Sequence, residues 1–581
     1  MKKLSTFSWI FFLFLLTPRQ YVHAQTQANF VEMAEAMGLN NAGRNSGIAV
    51  ADFNNDDLDD IYVSQSNGTN LLYEAQPDGR FVEIGAQAGV AHTGTTTQSI
   101  WGDIDNDGDL DLFLGNRMEP NKLYLNQGNG TFVDISASAG VNKMGLTKAA
   151  MFGDIDNDGF IDLYVANLGT QNEMYRNNGN LTFTDITFLS GATDTQIAMG
   201  ALFFDYDNDN DLDLYLTHDA NQPNILYQND GSGHFIDVSA ATNTNHGGQG
   251  MGVDFGDVNN DGHLDLYITN LYENTLLLNN GNGSFSNISA FAGVTDLGMG
   301  WGTLWFDYDN DGWQDIYVAN DSYFSPFANI LYKNMGDLTF QIVSDSTVLS
   351  SMFGGYGVAS LDNDMDGWLD LYLANNGGGG NDENQYFNNQ NQTPDHHWVK
   401  VKTTGTISNK AGIGARVTLE VGDHILVDEV CAGSGYASQN SLTLHFGLGL
   451  ATTIDRMTVR WSAGTEEVFE NLAVDRLYQV IEMEGMVTNT EDVSPFLGPT
   501  LMPNPFVRTT TIQFELAQQE KVEIGIFTLT GQKINTIFQG DLPPGRHQFS
   551  WDSDGIDHPA GVYICQLKTD TAYRNLRMVK Q

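Results

Sequence analysis

The chain has 581 residues, with 73 Asp and Glu against 26 Lys and Arg, and a formal net charge of −47. A field of that sign repels phosphate backbones, which excludes nucleic acid as a partner. The length admits several domains. Two cysteines, Cys431 and Cys565, are too few for a disulfide framework, and no CxxC suggests redox or zinc chemistry.

In chain order the first element is a leader. Lys2 and Lys3 precede an apolar run from Trp9 to Leu16, and Val22-His23-Ala24 stands before Gln25. This reads as a signal peptide over 1–24, cleaved after Ala24. The run is far short of the roughly 20 residues of a spanning helix, and no later segment is long and apolar enough. The expectation is a secreted, extracellular chain with no transmembrane segment once mature.

Residues 25–395 hold 52 acidic against 8 basic residues, a balance of −44, and carry a repeat. Aligned on the first aspartate of runs such as "DIDNDGDLDL", seven copies start at Asp52, Asp103, Asp154, Asp205, Asp257, Asp307 and Asp362. The intervals are 51, 51, 51, 52, 50 and 55 residues, a period that marks a stacked or circular repeat. Each copy has a small, apolar entry ("TTTQSIWGD"), a β-rich exit ("LDLFLGN"), a "KLYLN"-like piece, and an aromatic-led strand ("TFVDIS"). Short β-branched and aromatic runs between Gly and Asn clusters predict four antiparallel strands per unit. Seven such units predict a β-propeller.

The aromatic-led strand starts at Phe30, Phe81, Phe132, Phe183, Phe235, Phe285 and Phe340, so Phe30 precedes the first acidic loop. Nothing equivalent follows the seventh "QYFNN" at 385–389. The strand "FVEM" is therefore expected to complete the last blade and close the ring, where an open solenoid would carry distinct end caps.

The acidic loops place oxygen donors at positions 1, 3, 5 and 9. They are Asp52, Asn54, Asp56 and Asp60; Asp103, Asp105, Asp107 and Asp111; Asp154, Asp156, Asp158 and Asp162; Asp205, Asp207, Asp209 and Asp213. The later copies are Asp257, Asn259, Asp261 and Asp265; Asp307, Asp309, Asp311 and Asp315; Asp362, Asp364, Asp366 and Asp370. Position 6 is Gly in five copies, Asp57 in the first and Asn210 in the fourth, the residues that best tolerate positive φ. Repelling carboxylates around a sharp turn suit Ca2+, which takes six to eight oxygens. A metal-free Asx turn is the alternative, and seven copies in one register favour up to seven Ca2+. The glutamate that closes an EF-hand at position 12 is absent, and strands flank the loop.

These repeats resemble FG-GAP/VCBS repeats, the calcium-binding propeller family also represented in integrin α-subunits. The resemblance covers about residues 28–395. It implies that each loop joins the inner two strands of its blade.

From "HHWVKV" at 396–401 the period ends. "NKAGIGARVTL", "GSGYASQNSLTLHFGLG" and "VRWSAG" give a small β domain over 396–484 that resembles the ASPIC/UnbV domain. Gly412 and Gly414 do not make a nucleotide loop, since a third glycine and a following helix are missing. His396 and His397 point to opposite faces of a strand, which favours structural roles. Residues 485–500 read as a linker. The segment 501–581 opens on "LMPNPF" and resembles the C-terminal sorting domain of type IX secretion in Bacteroidota. That implies the type IX machinery as a partner, removal of this domain, and release or attachment to the outer-membrane surface.

The fold expectation is all-β: a seven-bladed β-propeller followed by two small β domains. Two functions compete. One is a non-enzymatic adhesion or recognition module for a protein or glycan, with Tyr272, Tyr323 and Phe324 as contact residues opposite the calcium loops. The other is an extracellular polysaccharide- or ester-cleaving hydrolase or lyase with an acid/base pair among Glu119, Asp219, Glu273 and Asp321. No G-x-S-x-G or HExxH motif is present, and binding is the favoured reading.

Overall fold

The small, apolar run that enters each acidic loop becomes the innermost strand of a blade. In blade 1 this strand is Asn45–Ala51, and all seven residues are buried. It packs on both faces, so its sequence does not alternate. The strands Asp60–Gln65, Leu71–Ala75 and Phe81–Glu83 follow it outward in antiparallel order. Blades 2 to 6 repeat the pattern with inner strands Thr96–Gly102, Met144–Gly153, Ala198–Phe204, Gly250–Gly256 and Gly300–Phe306. The structure is a computed structural model and describes residues 27–322, 327–376, 382–391, 393, 395–489, 496–502, 506–516, 519–528, 533–553, 561–569 and 573–580. The leader over 1–24 lies outside these residues.

The ring closes as the repeat register requires. Blade 7 takes Gly355–Leu361, Asp370–Asn375 and Gln385–Asn389 from the end of the repeat region and Phe30–Glu32 from its start. Phe30 pairs with Asn389 and Glu32 with Phe387. Inner strands neighbour one another in cyclic order, and the seventh neighbours the first.

A feature absent from the sequence reading follows six of the outer strands. One-turn helices such as Ser136–Ala139 and Ser289–Ala292 end on a residue in the left-handed region, Gly140 and Gly293 in these two cases. A Glu, Asp or Asn two residues before the helix accepts its first N–H, as Glu83 does from Gly85 at 2.8 Å and Asp134 from Ser136 at 3.0 Å.

Residues 397–489 form two four-stranded sheets. One orders Leu444–Gly449, His397–Thr404, Arg476–Ile481 and Gly485–Asn489; the other orders His424–Glu429, Arg416–Val421, Thr453–Arg460 and Glu466–Ala473. This domain sits on the acidic-loop face of the ring. Its core is continuous with that of blades 2 and 3, where Val399, Ile413 and Trp461 share one apolar cluster with Phe113, Phe152 and Leu163.

The segment 431–440 leaves this domain and enters the centre of the ring. Ser438 and Gln439 pair in parallel with Ile48 and Ala49 of blade 1. Ala432 bridges Phe152 of blade 3, and Gly435 bridges Val253 of blade 5. Gln439 accepts the Trp101 N–H of blade 2 at 2.8 Å, and Ser438 accepts that of Val358 in blade 7 at 3.1 Å. The approach is close enough that a Cβ on Gly47 would meet the Ala437 carbonyl at 2.4 Å. The centre of the propeller is thus plugged by its own C-terminal domain.

The final domain packs the three strands Phe496–Met502, Thr509–Leu516 and Gly545–Asp552 against the four strands Lys533–Leu542, Glu520–Thr528, Gly561–Lys568 and Tyr573–Lys580. Ile512, Phe514, Ile524, Trp551 and Cys565 are among its core residues. Two strands fall inside the stretch expected as a linker over 485–500. Gly485–Asn489 extends the preceding sheet by pairing with Arg476–Ile481, and Phe496–Met502 already belongs to the last domain. The Thr, Asn and Gly content that suggested a linker did not prevent edge-strand pairing. Cys431 and Cys565 are free thiols in separate domains. No helix among the described residues is long and apolar enough to cross a membrane.

Candidate metal centres and the opposite face

Every acidic loop joins the first and second strands of its blade, and its hydrogen bonds repeat. In blade 2, Asp103 at position 1 accepts the N–H groups of Asp107 (3.2 Å) and Gly108 (2.8 Å). Asp107 at position 5 accepts from Asp109 at 2.9 Å. Asp111 at position 9 accepts from Ile104 at 3.0 Å with one oxygen and from Asn126 on the third strand at 2.8 Å with the other. These bonds pull the carboxylates toward one point and fix the turn. All seven residues at position 6 have φ between 67° and 93°, including Asp57 and Asn210.

Position 4 holds the residue that sequence reasoning missed. Asn55, Asn106, Asn157, Asn208, Asn260, Asn310 and Met365 all have positive φ. In six blades this asparagine also donates across to the next one. Asn106 donates to the Gly159 carbonyl at 2.8 Å, and Asn260 to that of Gly312 at 2.9 Å. A second set of staples comes from the third strands. Asn177 donates to Ile104 of the preceding blade at 2.8 Å and to Ile161 of its own at 3.1 Å. The signal was an asparagine at one loop position in six of seven copies.

The donors at position 3 are left wanting. Asp105, Asp156, Asp207, Asn259 and Asp309 each keep a buried Oδ1 with no hydrogen-bond partner. An unsatisfied buried acceptor costs about 1–3 kcal/mol, so such oxygens in one register call for a cationic partner, a metal ion or a side chain. Ligand oxygens of Asp103, Asp105 and Asp111 lie within 4.8 Å of one another, as do those of Asp154, Asp156 and Asp162, and of Asp205, Asp207 and Asp213. In blades 6 and 7 the convergent sets are Asp307, Asp309 and Asp311, and Asp362, Asp364 and Asp366. Burial, and then the charges of Asp107 and Asp105, push Asp103 up to about 7 against the opposing Gly108 N–H. Asp154 and Asp257 are likewise pushed to about 7 by burial. A divalent cation would reverse that penalty, and the all-oxygen donor sets fit a hard metal ion.

Blade 1 departs from the pattern. Asn54 donates to Glu74 at 3.3 Å and accepts from Asp56 at 3.1 Å, so its amide is already engaged. Three cations of the C-terminal domain reach loops from outside: Lys402 to Asp52 (3.2 Å), Lys400 to Asp362 (2.7 Å) and Arg460 to Asp205 (2.5 Å). Each takes Oδ2 of the position-1 aspartate, the oxygen that also accepts the position-6 N–H. A cavity of about 380 Å3 remains between this domain and the loops of blades 1 and 2. His396 hydrogen-bonds the Asp309 carbonyl and His397 the Asp475 carboxylate, both at 2.7 Å. Gly412 and Gly414 shape a turn that leads into a strand.

The opposite face carries a set of exposed apolar residues. Met118, Met144, Tyr272, Leu297, Met352 and Phe353 lie at this end of the ring and are between 40% and 71% exposed. At its centre the Trp301 and Tyr356 rings stack 4.5 Å apart, and Trp301 meets the edge of Tyr436 at 4.8 Å. Tyr436 arrives from the C-terminal domain through the plugged centre. Its hydroxyl accepts from Lys148 at 3.0 Å. Tyr323 and Phe324 lie outside the described residues. The four carboxylates considered as acid or base stand on four blades and share no hydrogen-bond partner among the described residues. Glu119 accepts the Thr95 N–H, Asp219 the Ala220 N–H, Asp321 the Tyr356 hydroxyl, and Glu273 is exposed.

Ring, loops and plug define a class: a seven-bladed propeller with an acidic donor loop between the two inner strands of each blade. The FG-GAP-like repeat matches residues 52–114, 103–165, 154–216, 205–268, 257–318 and 307–373, an unbroken run over more than half of the chain. The chain belongs to the FG-GAP-like repeat family. The ASPIC and UnbV domain matches residues 405–486. Cartilage acidic protein 1 of Mus musculus is 26% identical over 229 residues, which is 36% of this chain and 35% of that protein. The Xenopus tropicalis protein of that name is 27% identical over 198 residues, 32% of this chain and 30% of its own. The chain thus spans about a third of the length of these relatives. Among solved structures, an Agrocybe aegerita lectin specific for non-reducing terminal N-acetylglucosamine aligns with 60% of this chain and 86% of its own. The TM-score is 0.35 and the identity 15%.

Proposed function

We propose that this chain is an exported, non-enzymatic recognition module whose acidic loops hold Ca2+ and whose opposite face binds a protein. The observation that carries the reading is the division of labour between the two ends of the ring. The loop face is covered by the C-terminal domain, while the other face presents six large apolar side chains to solvent. Large exposed apolar residues gathered at one end of a ring favour an interaction surface there. Methionines adapt to varied partner surfaces, which favours a protein over a sugar. The buried, unpartnered oxygens of position 3 support Ca2+, which would supply charge neutralisation and link each loop to its strands.

Export rests on the leader and on the final domain, which we assign to type IX sorting. The mature chain should begin near Gln25 and lack residues beyond about 495, and mass spectrometry of surface and culture fractions tests this. An intact C-terminus on most extracellular molecules would contradict it. The binding reading is tested by arrays of extracellular proteins and glycans probed with the full chain and with Tyr272→Asp/Met352→Asp. A protein ligand lost in the variant supports it. Glycan ligands alone, binding untouched by the variant, or turnover of a bound polysaccharide would each sink it.

A further inference from the structure

One lysine stands where a metal would. The side chain that follows the middle of each third strand faces the acidic loop of its own blade. In blades 2 and 5 it is Leu125 and Leu278, which bring no charge. In blades 4 and 7, Gln228 and Asn388 each donate an amide N–H to Oδ2 of position 3, at 2.7 Å and 3.3 Å. In blade 6 it is Lys333. Its ammonium donates to Asp309 at position 3 and to Oδ2 of Asp311 at position 5, the latter at 2.7 Å. The lysine side chain is 17% exposed and lies over the Tyr308 ring, with Nζ 5.4 Å from the centroid.

This differs from every other cation at the loops. Lys400, Lys402 and Arg460 hold Oδ2 of a position-1 aspartate. Arg176 stays 3.8 Å from Asp156 and is half exposed. Lys333 alone bridges two carboxylates of the convergent set formed by Asp307, Asp309 and Asp311. Oδ1 of Asp309 keeps no hydrogen-bond partner, so the ammonium offsets part of the charge of this loop without using every lone pair. A divalent ion in the same carboxylates would stand against a fixed positive charge.

We infer that Lys333 is a built-in cation that replaces the metal of the sixth loop. Loops such as those of blades 2, 3 and 4 take calcium, and blade 6 is held by its own side chain. This rests on the calcium reading above.

Three measurements on the full chain decide it. Crystals grown with Tb3+ should show anomalous peaks beside Asp105 and Asp156 and none between Asp309 and Asp311. Elemental analysis after dialysis against calcium should give one more ion per chain for Lys333→Gln than for wild type. Lys333→Arg, which keeps a cation, should match wild type. A terbium peak between Asp309 and Asp311 of the wild-type chain overturns the proposal, and so does an unchanged count in folded Lys333→Gln. A wild-type chain that binds no calcium at all refutes the calcium reading and this inference with it. Calcium at the other loops together with a metal in blade 6 refutes the role of Lys333 alone.

Discussion

Aspartates of one loop do different work, and Asp105 and Asp111 show the contrast. Asp111 accepts two buried backbone N–H groups, so Asp111→Ala strands two donors. At about 1–3 kcal/mol each, the cost should be about 2–6 kcal/mol already in chelator, and larger in calcium because Asp111 also belongs to the convergent donor set. Asp105 has an unpartnered buried oxygen, so Asp105→Ala should be neutral or stabilising in chelator. In calcium it should be destabilising, because an ion that binds only the folded chain no longer contributes at that loop. Denaturant unfolding of both variants in the two buffers measures this. A loss of stability for Asp105→Ala that is the same in chelator and calcium would contradict the assigned roles.

At the scale of elements, the one seam without a third-strand asparagine staple among the described residues joins the chain's start to the end of the repeats. Blade 1 has Ala75 where blades 2 to 7 have the stapling asparagine. The seam is bridged instead by Asn363, which donates to the Gly79 carbonyl at 2.8 Å. Closure therefore leans on Phe30–Glu32, and Phe30 is a buried ring packed 6.3 Å from Tyr308. Phe30→Ala should cost about 3–5 kcal/mol, as large-to-small core changes do. Hydrogen exchange should accelerate first in Gln385–Asn389, the strand left as an edge. Uniform acceleration around the ring would show that closure is not local.

These elements were legible to differing degrees. The blades, the ring closure through Phe30 and the turn at position 6 follow from local pattern and period, so seven copies reinforce a weak signal. The one-turn helices span four residues, too few for a helical period to show. The role of the position-4 asparagines is not encoded locally because their partners sit one blade away. The plug is a contact between Gln439 and residues near Trp101 and Ile48, more than 300 positions earlier, and no local pattern encodes it. Lys333 was invisible for the same reason, since its meaning depends on register across two hairpins.

For the whole molecule, the buried carboxylates make stability depend on pH and metal together. Asp103, Asp154 and Asp257 have folded pKa values near 7 against an ordinary 3.8. The folded chain therefore binds more protons than the unfolded one between those values, and metal-free stability falls as pH rises through that window. Burial holds His445 down to about 4, below its ordinary 6.5. Burial lowers His92 and His246 too, and these imidazoles act in the opposite sense, destabilising the fold as pH falls below 6.5. The raised carboxylates outnumber them, so in chelator the Tm should be higher at pH 5 than at pH 8. Calcium should narrow the difference by holding its ligands ionised. A residual slope should survive from Asp254 and Asp428, which burial also pushes to about 7 away from the convergent loop sets. A chelator Tm that rises steadily from pH 5 to pH 8 would contradict this.

The central claim is that the acidic loops are metal centres that hold the ring together. The direct test is thermal unfolding of the full chain in chelator and across a calcium series, with elemental analysis of the same samples. Bound calcium should be found, and the Tm should rise with its concentration. Mg2+ should rescue poorly because it demands a tighter octahedral shell. An unchanged Tm in chelator, with no calcium in the protein, would contradict the account.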